Sequence, residues 1–247
     1  MKNLLRFEFF KLRKRKSLYI CLGAMLAILL FSLLASYEFL RSWDSEYEPS
    51  ALIYVLSATN TSNFTLVVGI FVTLYVCEDF GQRTVKNIYS RGFSRIGVYF
   101  AKLIVCAVYV VAAFAIVELF TLALSSALFG YRAEEGHILA LLFGQLLVCL
   151  AFASFSFAVG FTVKRTGIAI AISILAPLVV SFVLALADIA IDSEKFMISE
   201  YWLEGISNVL ANPLSSVKQV VLGCILPVIY AALFITAGFF IHRKTEV

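Results

Sequence analysis

The sequence predicts an all-α integral membrane protein with six transmembrane helices, and three observations point to this fold class. First, 62% of the 247 residues are hydrophobic and only 15% are charged, against about 25% charged residues in a typical soluble domain. Second, the mean hydropathy is +0.95. Third, the apolar residues gather into runs of roughly 20, the length that a helix needs to cross a membrane. This composition argues against a soluble domain, a disordered chain and a nucleic-acid-binding protein, and residues 1–247 are expected to form one transmembrane domain.

A basic segment precedes the first apolar run. Residues 1–16 hold seven lysine and arginine residues among leucines and phenylalanines, and Leu5, Phe9 and Leu12 share one helical face. We predict an interfacial helix at the inner membrane surface, with apolar side chains against lipid or the bundle and basic side chains near anionic headgroups. The alternative is that these residues serve only as a topology signal.

The apolar runs that follow predict the six spans. The first, residues 18–35, is too long for the apolar region of a typical signal peptide and lacks a clear small-residue cleavage site after it, so we expect an uncleaved span. The other spans are predicted at residues 57–77, 98–124, 138–163, 168–186 and 220–241. The second of the six begins near Ser57 with a polar stretch.

The distribution of charge predicts the orientation. Six spans place both termini on one side of the membrane. If that side is the cytoplasm, 16 of the 20 basic residues lie in cytoplasmic segments or span ends, and eleven of the 16 acidic residues lie outside. This agrees with the positive-inside bias, so both termini are expected in the cytoplasm. The outer segment 187–219 contains scattered apolar residues, and a short helix is predicted there over residues 196–210.

The loop between spans two and three, residues 78–97, carries the most informative pattern. It reads EDFGQRTVKNIYSRGFSRIG, and Val85, Ile88 and Tyr89 fall at helical spacing. An ordinary charged turn is the alternative, but such a turn needs only a few residues. We therefore predict a short amphipathic helix across the base of the bundle, where it could dock a cytoplasmic partner.

Two residues in this loop mark helix boundaries. Gly92 can adopt the left-handed conformation that ends many helices. Ser94 can cap the N-terminus of span three by accepting a backbone hydrogen bond. Together they predict that Gly92 ends the loop helix and that Ser94 caps the helix of span three.

The loop resembles that of the permease subunits of type-2 ABC exporters, especially the six-span bacterial branch that includes bacitracin-resistance and lantibiotic-immunity permeases. The residues that carry the resemblance are Phe80, Gly81, Arg83, Thr84, Lys86, Asn87, Ser90, Gly92, Ser94 and Arg95, followed by Tyr99 and Lys102. In such families this loop is the coupling helix, which sits in a cleft of the ATPase subunit. The resemblance thus implies ATPase-coupling roles for Glu78, Gly81, Arg83, Thr84, Lys86, Asn87, Tyr89, Arg91 and Arg95.

The resemblance also implies partners and a location. The chain has no GxxxxGK[ST] phosphate-binding loop, so ATP and magnesium are expected in two copies of a separate ABC ATPase subunit, and no cofactor is expected in this chain. A second permease, identical or paralogous, and membrane lipid are the other expected partners, with no nucleic acid. The expected location is the bacterial plasma membrane. The expected cargo is an amphipathic or hydrophobic molecule, such as a toxic peptide, a drug or a lipid-like compound.

Three polar residues near the outer half of the bundle are candidates for a substrate path. Glu118 lies within span three, where a charged side chain is costly in lipid. Its alternative role is a protonated or hydrogen-bonded contact between helices. Asn60 and Asn63 could line the outer mouth of the path, or could simply mark an interfacial start of span two.

Other functions find less support in the sequence. An intramembrane enzyme is disfavoured because the chain has no HExxH motif, and His137 and His242 are predicted at opposite membrane faces. The five cysteines lie in or beside apolar runs and form no CxxC pair, which favours packing over metal binding. A channel would be expected to show a filter-like or charged pore segment, and none is evident in the sequence. A non-catalytic membrane sensor or immunity protein, or a channel, stays the alternative to an exporter permease.

Overall fold

A computed structural model describes residues 2–42, 50–60, 64–81, 88–90, 92–130, 137–191 and 197–244. In chain order the helices are α1 Lys2–Lys14, α2 Lys16–Ser42, α3 Ala51–Ala58, α4 Phe64–Gly81, α5 Arg95–Phe129, α6 Ile138–Val163, α7 Thr166–Ile191, α8 Leu203–Leu210 and α9 Val217–Lys244. Within the described part of the chain, six of them (α2, α4, α5, α6, α7 and α9) are long and apolar enough to cross a membrane. The predicted six-span, all-helical fold class is confirmed there.

The predicted spans differ from the helices mainly at their ends. Helix α6 has the predicted bounds, whereas α2, α5, α7 and α9 continue past them at both ends. Hydropathy marks the portion of a helix that suits lipid, but backbone hydrogen bonding continues into the polar residues on either side. The longer helices are therefore expected wherever no cap or proline stops the next turn.

Span two differs more than the others. The sequence predicts its start near Ser57, but α4 begins at Phe64, and the apolar residues before it form the separate helix α3. Ser50 caps α3 by accepting a hydrogen bond of 3.3 Å from the backbone N–H of Leu52. Most apolar side chains of α3 are buried, with α5 as its main packing partner. This segment, which ends before Thr59, is thus a packed core helix rather than the start of a span.

The core of the bundle centres on α4. This helix is the most buried of the six spans, because it packs against α2, α5, α6 and α7. Close approach of α4 and α6 depends on Gly160, where an added Cβ would lie 3.0 Å from Val76. Helix α9 packs along α6 in the same way, and a Cβ on Gly238 would lie 2.9 Å from Ala158. Small residues thus permit these crossings, as expected for membrane helices.

One end of the bundle gathers both ends of the described chain. The ring of His242, near the end of α9, stacks 6.0 Å from the ring of Tyr99 in the first turns of α5. Helix α1 packs against the same part of α5. We call this the termini end. It matches the prediction that both termini lie on one side, and its assignment to the cytoplasm stays a prediction.

The opposite end carries the predicted short outer helix. A 3-10 helix over Ile198–Tyr201 is followed by α8, and Phe196 lies outside the described residues. The carboxylate of Asp188 accepts hydrogen bonds from the backbone N–H groups of Ile198 and Ser199, at 2.6 and 3.1 Å. These bonds tie the end of α7 to the start of this segment. The buried face of α8 packs against α6 and α9.

Candidate functional site

The termini end holds a largely buried group of charged and polar side chains that joins three parts of the chain. We call it the charge cluster. Its members are Glu8, Lys11, Arg15, Tyr75, Glu78, Asp79 and Lys102. The first three come from α1 and the residue after it, the next three from the last two turns of α4, and the last from α5. The cluster therefore lies where the N-terminal helix meets the ends of two spans.

Lys102 is at the centre of the charge cluster. Its ammonium forms an ion pair with Asp79 and lies 3.2 Å from the carboxylate of Glu8. The side chains of all three residues have no exposed surface. The hydroxyl of Tyr75 donates a hydrogen bond of 2.6 Å to Glu8 Oε2. Burial of unpaired charges would be very costly, so mutual pairing is what allows these groups to be desolvated.

Two further cations complete the pairing of Asp79. Lys11 forms an ion pair with its carboxylate, and Arg15 Nη2 donates to Oδ1 at 3.0 Å. Arg15 also pairs with Glu78, and its guanidinium lies 5.1 Å from the ring of Tyr75. Burial lowers the pKa of Lys11, and the nearby charge of Lys102 adds to this effect, whereas Asp79 opposes it. Asp79 thus holds together three cations from two segments of the chain, α1 with the residue after it and α5.

The sequence of α1 explains how it reaches this position. Its buried residues, Leu4, Glu8 and Leu12, are spaced four apart and so lie on one face. Of the face noted in the sequence, Leu12 is buried, Leu5 packs against the core and Phe9 is exposed, and a contact of Phe9 with lipid stays a prediction. Glu8 lies on this buried face and pairs with Lys102.

The predicted coupling residues divide between the described and the undescribed parts of the chain. Glu78 belongs to the charge cluster, and Gly81 ends α4. The phenol of Tyr89 lies 3.3 Å from His242 Nε2, and exposed Arg95 begins α5. Five further predicted residues lie outside the described residues: Arg83, Thr84, Lys86, Asn87 and Arg91. The coupling roles of all nine stay predictions.

The described end of the predicted coupling helix packs on α1. Residues 88–90 are helical, and Ile88 is buried with Leu4 of α1 and with Val98 and Ala101 of α5. Tyr89 packs against the same residues, and burial raises the pKa of its phenol. The apolar stripe predicted for this helix therefore faces the bundle at Ile88 and Tyr89.

The predicted boundaries after this helix are confirmed. Gly92 has φ +84°, in the left-handed region that glycine tolerates, and its N–H donates to the carbonyl of Tyr89 at 2.9 Å. The Ser94 hydroxyl accepts a hydrogen bond of 3.1 Å from the N–H of Gly97 and so caps α5. Local backbone rules fix both features, which is why the sequence predicts them.

A second polar group lies where the chain turns from α3 into α4, and we call it the corner site. It consists of Thr59, Glu118 of α5 and Gln145 of α6. Thr59 Oγ1 lies 2.7 Å from Glu118 Oε1 and 2.7 Å from Gln145 Oε1. The amide of Gln145 donates to the carbonyl of Leu56 at 2.7 Å. These bonds tie the C-terminal end of α3 to two spans.

The other candidates for the substrate path lie beside the corner site or outside the description. Asn60 donates to Asn208 Oδ1 at 3.0 Å and accepts from the Ser207 hydroxyl at 2.8 Å, so it links the corner to α8. Asn63 lies outside the described residues. The structure brings Glu118 and Asn60 to the same corner, and their role in a substrate path stays a prediction.

The charge cluster was not predicted as a unit, although the sequence carries a signal for it. Glu8 is the one acidic residue among seven basic ones in the first 16 residues, and Lys102 falls inside a predicted span. A charge within a span needs a partner. Asp79, directly after the preceding predicted span, is an acidic residue that could serve as this partner.

A known protein family matches this chain over the region from α1 into α7. The profile of the family described as ABC-2 family transporter protein matches residues 4–188. The chain belongs to this family. None of the curated proteins matches it. The matched region contains the whole charge cluster and the whole corner site. The chain is thus a membrane subunit of the ABC-2 transport family, which in general works with an ABC ATPase.

The charged side chains at the termini end are arranged as ion pairs. In the described ranges, no three histidine, cysteine, aspartate or glutamate side chains are grouped as they would be around a metal ion. The acids at the termini end are paired with lysine and arginine instead. The charges of this ABC-2 permease are therefore arranged to hold helices together. The narrower resemblance to bacitracin and lantibiotic permeases stays a prediction.

Proposed function

We propose that this chain is the permease of an ATP-driven exporter for amphipathic or hydrophobic molecules, with ATP hydrolysed by two separate ABC ATPase subunits at the cytoplasmic face. The observation that carries the proposal is the position of the charge cluster. It joins α1, α4 and α5 near the two described ends of the loop that would contact the ATPase, namely the end of α4 and the turn 88–90.

The cluster gives this segment a mechanical connection to the spans. Asp79 lies two residues before the end of α4, and the turn 88–90 packs on Leu4 and on the start of α5. The ion pair between Asp79 and Lys102 joins α4 to α5, and the ion pair between Glu8 and Lys102 joins α1 to α5. When the ATPase subunits close and displace residues 82–90, these three helices would therefore move as one unit.

The lining of a cavity supports an amphipathic cargo. A cavity of about 210 Å³ lies between α4, α6 and α7. Its lining is mainly apolar but includes the hydroxyls of Thr65, Ser156 and Ser173, with Glu204 contributing an acidic group. A cavity of this kind suits a molecule that has an apolar body and a polar or cationic group.

The exposed face of α7 supports pairing with a second permease. Gly167 has no atom within 4 Å of the place where its Cβ would be, so its small size serves no contact within the described chain. Gly167, Ala171 and Leu175 line one shallow groove on this face. Small residues that are not used within a subunit let a helix from another subunit approach closely. A second copy, or a paralogue, is the proposed occupant.

Purification tests the ATPase partner directly. The tagged full chain would be extracted from host membranes in a mild detergent, and the proteins that remain bound would be identified. The expected result is a stoichiometric ABC ATPase with vanadate-sensitive activity. A chain that binds no ATPase in several mild detergents would favour a membrane sensor or a channel instead.

Variants in the loop test the docking surface. In the complex, Arg83→Ala and Asn87→Ala are expected to lower ATP hydrolysis that depends on the permease, without loss of folded protein. Arg243→Ala is the matched control, because Arg243 is an exposed basic residue at the same end of the bundle. Equal activity in all three variants would contradict docking through residues 82–90.

A further inference from the structure

The corner site contains one hydrogen atom too few if its carboxyl group is ionised. Thr59 has a single hydroxyl hydrogen, yet its oxygen lies 2.7 Å from two acceptor oxygens, one on Glu118 and one on Gln145. Two short contacts of this kind need a hydrogen each, because one shared hydrogen would leave both bonds bent and weak. The missing hydrogen must come from one of the neighbours of Thr59.

The amide of Gln145 cannot supply it. Its Nε2 lies 2.7 Å from the carbonyl oxygen of Leu56. Reversing the amide would turn Nε2 towards Thr59 but would place two acceptor oxygens 2.7 Å apart at Leu56. The amide orientation is therefore fixed, with Oε1 facing Thr59, and this oxygen must accept the hydroxyl hydrogen. Glu118 is the remaining source.

We propose that Glu118 is a proton-binding site and carries a proton in this conformation. A carboxylate and a proton from water form the neutral acid, whose O–H donates to Thr59 Oγ1. Thr59 then donates to Gln145 Oε1, and Gln145 donates to Leu56 O. Each hydrogen bond then has its own hydrogen, and the carbonyl of Leu56 in α3 is the last acceptor in the series. The bound proton thus closes the corner between α3, α5 and α6.

Burial and charge around Glu118 agree with a neutral acid. The residue is 9% exposed, and its Oε2 has no hydrogen-bond partner among the described residues. An ionised oxygen in that position would be far more costly than a neutral one. The described titratable groups nearby are the thiol of Cys149 on α6, 4.0 Å from the Thr59 carbonyl, and the phenol of Tyr54 on α3. Both are neutral near neutral pH.

The other elements around this part of α5 bring no charge in the described residues. Helix α2 contributes Ser32 beside two leucines, and α4 contributes the ring of Phe64 near Phe114. Lys102 is 16 residues away along α5, which is roughly 24 Å at the rise of an α-helix. Its charge is already paired in the charge cluster. No described cation therefore stabilises an ionised Glu118.

A polar cavity gives the proton a route. A cavity of about 140 Å³ is lined by residues on both sides of Thr59 and by Thr121, one turn after Glu118. Hydroxyl and amide groups line it, and its volume is enough for several water molecules at about 30 Å³ each. If the corner opens, water reaches Glu118 and the acid ionises. The inference goes beyond the proposed export function, because it concerns a proton rather than the cargo or the ATPase.

Infrared spectroscopy on the full chain in lipid nanodiscs tests the proposal. At neutral pH we expect the carbonyl band of a protonated carboxylic acid that is lost in Glu118→Gln. Glu204→Gln is the matched control, because Glu204 is a more exposed glutamate, and the band should remain in that variant. Absence of the band in the unmodified chain, or its survival in Glu118→Gln, would overturn the proposal.

A second measurement keeps the test independent of a single band. In the folded chain the proton is held more tightly than in the unfolded chain, so raising the pH should lower the melting temperature. A glutamate in the unfolded chain ionises near pH 4.3, so the decrease from about pH 4 to alkaline pH is expected to be smaller in Glu118→Gln than in the unmodified chain or in Glu204→Gln. The glutamine amide can donate to Thr59 as the neutral acid does, so the variant should remain folded. Identical pH dependence in all three would contradict a bound proton.

Discussion

The hydroxyl of Tyr75 donates a hydrogen bond of 2.6 Å to the carboxylate of Glu8, and both side chains are almost completely buried. Tyr75 belongs to α4 and Glu8 to α1, so this bond fastens the N-terminal helix to the most buried span. The same carboxylate faces Lys102 of α5. One acidic side chain in an otherwise basic segment thereby holds three helices together.

Removing the hydroxyl of Tyr75 should therefore destabilise the bundle. We expect Tyr75→Phe to lower the free energy of unfolding by about 1.5–3 kcal/mol, the range for a hydrogen bond to a charged group. Denaturant titration in mixed micelles would measure it. Tyr109→Phe is the matched control, because the buried hydroxyl of Tyr109 has no hydrogen-bond partner among the described residues. That variant should be neutral or slightly stabilised, and an equal loss in both would contradict the role of the Tyr75 bond.

Removing the central cation should cost more than removing the hydroxyl. Lys102→Met leaves Glu8 without the ammonium that faces it, and loss of one partner from a buried ion pair typically costs about 3–5 kcal/mol. The exposed Lys2→Met variant should change stability little. Adding Glu8→Gln to Lys102→Met should recover part of the loss, because the unpaired charge is gone. A double variant that is less stable than Lys102→Met alone would argue against this pairing.

The parts of the fold that the sequence predicts are those that depend on local rules. Hydropathy places all six spans, and the bounds of α6 are the predicted ones. The cap at Ser94 and the turn at Gly92 follow from the conformational preferences of those two residues. Each of these features depends on the nature of a short stretch of chain, and none needs a partner from elsewhere.

The parts that the sequence does not predict depend on contacts between distant segments. Counting charges by membrane side treats Lys102 as a cytoplasmic charge. In the structure it is buried against Glu8, which is 94 positions away in the chain, and Asp79, which is 23 positions away. The break before α4 is similar. The run around residues 51–58 is apolar enough to begin a span, and its separation into α3 is accompanied by the hydrogen bonds that Thr59 makes to α5 and α6.

The packing of α1 under the turn 88–90 predicts an effect on coupling. Leu4→Ala removes a buried side chain that contacts the cluster around Ile88, and a cavity of this kind costs about 2–5 kcal/mol. In the assembled transporter we expect lower permease-dependent ATP hydrolysis, because residues 82–90 lose their support. Phe10→Ala, on the exposed side of α1, is the control and should keep normal hydrolysis. Loss of folded protein would be checked by the yield of the complex, and full coupling in Leu4→Ala would contradict the support role.

The packing of α8 against α9 predicts that alanine in place of Gly223 destabilises the protein, whereas alanine in place of Gly23 does not. Leu210 of α8 is fully buried between Gly144 of α6 and Gly223 of α9. A Cβ added to Gly144 would lie 2.9 Å from the Leu210 side chain, and a Cβ added to Gly223 would lie 2.8 Å from it. Because Leu210 is confined on both sides, it cannot move away, and Gly223→Ala should cost about 1–3 kcal/mol from overpacking.

Gly23→Ala is the matched control for this change. Gly23 also lies inside a span, but no atom lies within 4 Å of its Cβ position, so alanine should be neutral or should stabilise α2 by up to about 1 kcal/mol. The cause of the Gly223 effect can be isolated by repeating the substitution in a Leu210→Ala background, where the opposing side chain is gone. There Gly223→Ala should cost little, because the penalties of two residues in contact do not add. A full penalty in that background would show that the crowding arises from the helices themselves and not from the side chain that fastens α8.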